Sequence, residues 1–72
     1  MSNNEIKHIA NHLADTLIRD EDEFDREYDK IKDLKYISYI GILAQLYYNI
    51  KTGILSRDNG LKMQERILNG LE

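Results

Sequence analysis

The chain has 72 residues, of which 32% are charged and 42% hydrophobic, with a formal net charge of −3 and no cysteine. That length sets a single helical domain over residues 1–72, the composition is that of a globular chain and not a disordered one, and the lack of thiols excludes disulfides and Cys-ligated metals. So short a chain buries only about 60–65% of its unfolded surface, which makes association with another copy the simplest supplement to a small core.

Charge is unevenly spread. Residues 15–29 hold eight acids against two bases, and residues 30–72 hold seven bases against four acids. Head-to-tail attraction between copies, or between halves of one copy, follows from this asymmetry. The opening MSNNEIKHIANHL has neither a basic start nor a continuous apolar run, so no signal peptide is expected and a cytoplasmic location without a membrane partner is. Abundant Ile, Asn, Lys and Tyr beside scarce Ala point to an AT-rich gene, as in a low-GC bacterium or its phages and mobile elements.

Ser2-x-x-Glu5 is a capping-box pattern and starts a helix over about residues 3–19. Ile6, Ile9, Ala10, Leu13 and Leu17 recur at helical spacing, with Ala14 at the border, while Lys7, His8, Asn11, His12, Asp15 and Arg19 occupy the other face. His8, His12 and Asp15, at i, i+4 and i+7, form a weak candidate metal site, since imidazoles one turn apart can chelate Zn²⁺. A fourth ligand is lacking, and two solvated histidines are the plainer reading. No metal or cofactor is expected.

Asp20-x-x-Glu23 repeats the capping signal and opens a second helix at about residues 21–35, with Phe24, Tyr28, Ile31 and Leu34 as a narrow apolar stripe. Its acids crowd the first turns and its bases the last, as the helix dipole favours, and Asp22 and Arg26 are spaced as an i,i+4 pair. Asp22, Asp25 and Asp29 are candidate contact groups for a basic partner surface. Arg19, Arg26 and Lys30 dilute the row, so serving the dipole is the simpler explanation.

The third helix, about residues 36–52, contains YISYIGILAQLYYNI, fifteen residues without a formal charge. Tyr36, Ile40, Leu43, Tyr47 and Ile50 centre its apolar face, and only Ser38, Gln45 and Asn49 mark a polar seam. No Gly or Pro separates Lys35 from Tyr36. The second helix therefore either runs on into the third or kinks near residues 33–37, and a strand over residues 36–43 is the minor alternative. So broad an apolar face calls for several neighbours or a second copy, hence an expected homodimer. Tyr36, Tyr39, Tyr47 and Tyr48 fan too widely for one small core, which makes them candidate protein-contact residues.

Gly53 is placed as a left-handed C′ residue with Ile54 as the apolar residue behind it. Ser56 caps a last helix over about residues 57–70, with Leu61, Met63, Ile67, Leu68 and Leu71 on one side and Lys62, Glu65, Arg66 and Asn69 on the other. Gly60 weakens its start, so the helix begins either after Ser56 or at Leu61. Residues 46–68 resemble the helix–Gly-Ile–Ser-cap–helix hairpin of short C-terminal oligomerisation domains, through Gly53, Ile54 and Ser56; any tight helical hairpin shares that pattern.

These elements predict an all-α fold, a small bundle of three or four antiparallel helices. Without a phosphate loop, a thiol or a supported catalytic constellation, an enzyme is not expected. The expected function is a small non-enzymatic protein-binding module, a regulator or inhibitor of adaptor type that docks on another protein. The alternative is a nucleic-acid-binding regulator using Arg57, Lys62 and Arg66 of the last helix, with Gln64 reading base edges. A pI near 5.3 weighs against it.

Overall fold

The computed structural model describes residues 2–70. It contains four helices: α1 (Asn3–Arg19), α2 (Glu21–Ile31), α3 (Ile37–Lys51) and α4 (Arg57–Asn69). No strand occurs among the described residues, which removes the strand alternative for residues 36–43. No helix among them is long and apolar enough to cross a membrane. Leu71, placed by its spacing on the apolar side of the last helix, lies outside the described residues.

Local chemistry sets most of the helix ends. The Glu5 amide donates to Ser2 Oγ at 3.2 Å and the Ser2 amide to Glu5 Oε1 at 3.4 Å, closing the capping box. Asp20 ends α1, its amide donating to the Thr16 carbonyl, and starts α2 by accepting from the Asp22 amide at 3.0 Å. Glu23 does not complete a second box; it is taken by Arg19. After α3, Gly53 adopts φ 80°. Its amide donates to the Ile50 carbonyl and that of Ile54 to the Asn49 carbonyl, the two bonds of a Schellman motif. Ile54 itself stays 71% exposed, and the next residue, Leu55, turns back onto the core.

α2 stops at Ile31, four residues short of the expected end, and residues 32–36 form two successive turns. The Leu34 amide donates to the Ile31 carbonyl and the Ile37 amide to the Leu34 carbonyl. Neither a glycine nor a proline breaks the helix here. Leu34, Tyr36 and Ile37 all pack against the core, and a continuous helix would carry some of them away from it.

α1 packs on both α2 and α3, and α3 on α4. Lys51 pairs with Asp15, and one turn back along both helices Asn11 lines a hollow with Tyr47, so α1 and α3 point the same way. Tyr39 reaches Gly70 and Tyr47 reaches Gln64. Partners along α4 thus run in reverse order to those along α3, and the pair is antiparallel. The molecule is flattened, 29 × 29 × 15 Å along its principal axes.

The core lies chiefly between α1 and α3: Ile6, Ala10, Leu13 and Ala14 face Ile40, Leu43, Ala44 and Leu46, with Leu68 from α4. Alanines at three of these positions let the helix axes approach closely. Thr16 is also fully buried, a position that the apolar pattern passes over. Its hydroxyl donates to the Leu13 carbonyl at 2.7 Å, which satisfies the one polar group it brings inside.

α3 did not need a second copy to cover it. α1, α4 and the residue 32–36 connection bury or half-bury nearly all of its large apolar side chains, leaving only Ile42, on the polar seam, as much as 53% exposed. Gly60 lies inside α4 and is buried, so the helix begins after Ser56 and not at Leu61. Leu61 and Met63 do not share the covered side. Residues two apart on a helix point about 160° away from each other, and both side chains are over 40% exposed.

Candidate functional site

The tyrosines of α3 do not form one surface. Tyr39 Oη donates to the Gly70 carbonyl at 3.1 Å, and Tyr47 Oη donates to Gln64 Oε1. Both therefore fasten α3 to α4 from within the chain. Burial pushes the Tyr47 phenol above the ordinary tyrosine range. Tyr36 packs against the core, with Lys35 Nζ 5.3 Å from its ring centroid. Tyr48 is half-buried.

Asp22, Asp25 and Asp29 are exposed and, at i, i+3 and i+7, share one face of α2. α2 itself buries no side chain fully; Phe24, Tyr28 and Ile31 are half-buried against α1, the first two stacked with ring centroids 5.9 Å apart. The Asp22–Arg26 pair is not among the ion pairs of the described residues. Arg19–Glu23 (2.9 Å), Glu27–Lys30 (3.3 Å) and Asp29–Lys32 (2.9 Å) form instead. The hydrogen bond from Arg19 holds the Glu23 carboxyl below the usual glutamate range.

His8, His12 and Asp15 part company. Asp15 turns to Lys51 of α3, while both histidines line a cleft of about 310 Å³ between α1 and α2. Among the described residues no three His, Asp or Glu side chains are placed to hold a metal ion. The cleft has a floor of Ile9, Leu13 and Ile31, with Glu27 at its rim. Leu13 belongs to the core and Ile9 and Ile31 pack against it, as their spacing implies, and all three also line this cleft.

The three bases of α4 also separate. Arg57 lines a hollow with Asn11, Tyr47 and Leu61, whereas Lys62 and Arg66 flank a different one, of about 310 Å³, with Leu55 and Met63. Gln64 is held by Tyr47 and does not point out as a base-reading group would. The Lys62–Met63–Arg66 groove is a feature that sequence reading missed, although the angular separation of Met63 from Leu61 was a signal for it.

Fold and surface together define a small four-helix domain with a groove along α1–α2 edged by His8, His12 and Glu27 and a base-rimmed one on α4. Comparison with protein-family models, with curated proteins and with solved structures finds no match.

Proposed function

We propose that the protein is a non-enzymatic protein-binding module, a small regulator or inhibitor that docks on another protein and that self-associates, with a homodimer as the smallest assembly. One observation carries this reading. α2 contributes no fully buried side chain, yet it presents Asp22, Asp25 and Asp29 on a single exposed face. A helix that contributes so little to the core is free to serve a partner, and a partner with a basic surface suits it. Tyr48 is the tyrosine best kept for such a contact, because Tyr39 and Tyr47 already have partners inside the chain.

The test is affinity capture from cell lysate with wild-type protein and with an Asp22→Asn, Asp25→Asn, Asp29→Asn variant, followed by identification of what is retained. The reading expects a stoichiometric protein lost by the variant, and lost in part by Tyr48→Ser. A catch indifferent to both variants, or retention of duplex DNA with a steep salt dependence, defeats it.

A further inference from the structure

We infer that the α1–α2 groove of one copy receives helix α4 of a second copy. This rests on the protein-binding reading above and names the occupant of one site. The groove is longer than the cleft alone, because a neighbouring hollow at Glu5 shares His8 and Ile9 with it. Its floor is apolar, its rim carries Glu5, capped onto Ser2, and Glu27, paired with Lys30, beside His8 and His12, and the helix forming one wall has six acids against two bases.

α4 carries the complement. Met63 is 43% exposed, with Lys62 beside it and Arg66 one turn further on. An unbranched, adaptable thioether side chain suits an irregular apolar floor, and the two flanking bases would meet the acidic rim. This is the helix-in-groove mode of recognition, with one apolar anchor and charges fixing the register. Each copy carries both halves, but within one chain α2 packs on α1 and α4 packs on α3, which leaves both halves open to a neighbour. Groove and α4 are different surfaces, so two copies either exchange the contact about a two-fold axis, each α4 in the other's groove, or make it once and leave one groove and one α4 free for longer chains or rings.

Sedimentation of the full chain tests this with two charge-reversed variants, Lys62→Glu with Arg66→Glu, and His12→Lys with Glu27→Lys. Circular dichroism checks that each keeps its helices, and Met63→Ser serves as a third variant that leaves charge untouched. Wild type should associate with a dissociation constant that rises about tenfold or more between low salt and 0.5 M salt. Each reversed variant alone should be monomeric, an equimolar mixture of the two should associate again, and Met63→Ser should weaken assembly. A wild type that stays monomeric at the highest concentration, association unchanged in the variants, or a mixture that remains monomeric overturns the inference. The capture experiment above then decides the protein-binding reading separately.

Discussion

Ile50 of α3 fills the space where a side chain at position 60 of α4 would lie. A Cβ built on Gly60 would sit 2.6 Å from Ile50 Cγ1 and closer still to its Cδ1. Gly60→Ala should therefore destabilise the protein. The overpacking cost is about 1–3 kcal/mol, offset by up to about 1 kcal/mol from the better helix propensity of Ala. In an Ile50→Ala background the same substitution should turn neutral or stabilising. Urea denaturation of the four proteins in this cycle measures the coupling; an equal effect of Gly60→Ala in both backgrounds would show that Ile50 does not limit the size of residue 60.

The link between Tyr47 and Gln64 makes a second prediction. Tyr47→Phe removes a part-buried hydrogen bond, and a loss of about 0.5–1.5 kcal/mol is expected. The phenol titrates above its ordinary range in the folded state, so its neutral form favours folding. That contribution is fully present below the unfolded-state pKa of about 10 and is lost as pH rises through the folded value. Ultraviolet titration of tyrosinate should show a late-ionising component that is missing in Tyr47→Phe. A curve whose late part is unchanged by Tyr47→Phe contradicts it.

What could be read from the sequence was what is decided locally. The Ser2–Glu5 box, the Asp20 and Ser56 caps and the left-handed Gly53 each depend on residues within one turn, and all four form. Where tertiary packing decides, the pattern was silent or misleading. The break at residues 32–36 matches the kink, one of the two alternatives the sequence leaves open; it has no breaker residue and comes from Leu34 and Tyr36 reaching the core. Burial of Thr16 could not be read, because its hydroxyl bond to the Leu13 carbonyl is invisible to an apolar count. The tyrosines looked like an interface because Gln64 and Gly70, partners of Tyr47 and Tyr39, are 17 and 31 residues away. On the candidate site, spacing put Leu13 in the core and Ile9 and Ile31 against it, as observed, but gave no sign that all three also line a groove.

Arg19 and Glu23 span the junction of α1 and α2 at 2.9 Å. The Glu23 carboxyl is held below the usual glutamate range first by that hydrogen bond and, against some desolvation, by the charges of Arg19, Arg26 and His12. A depressed folded value means that any stabilisation exists above the unfolded pKa and disappears as pH falls through the folded one. Both groups are exposed, so the effect belongs in a titration curve and not in a melting temperature. Carboxyl NMR should place Glu23 below the usual glutamate range, and Arg19→Ala should move it back toward that range.

Gly53 separates backbone strain from contact loss. At φ 80°, a Cβ there would meet nothing within 4 Å, so Gly53→Ala changes no packing and costs only the left-handed conformation. About 1 kcal/mol is expected. Gly41, also with open space around its missing Cβ but without a positive φ, is the control. Gly41→Ala should stabilise α3 by up to about 1 kcal/mol. Opposite signs in thermal melts support the assignment, and equal signs refute it.

α2 should be the first element to open. It has no fully buried side chain, is the shortest of the four helices and is followed by a turn segment with few backbone bonds of its own. α1 and α3, by contrast, share the main core. Local opening free energy tracks buried apolar contact, so amide hydrogen exchange in residues 21–31 should outrun that of α1 and α3 and respond only weakly to destabilisation of the core. Leu43→Ala, which removes a fully buried side chain and costs about 2–5 kcal/mol, should speed exchange in α1 and α3 while leaving α2 nearly unchanged. If α2 instead exchanges at the global rate, it is not an independently opening helix. A surface that a partner could order on binding would then have to be sought elsewhere on the molecule.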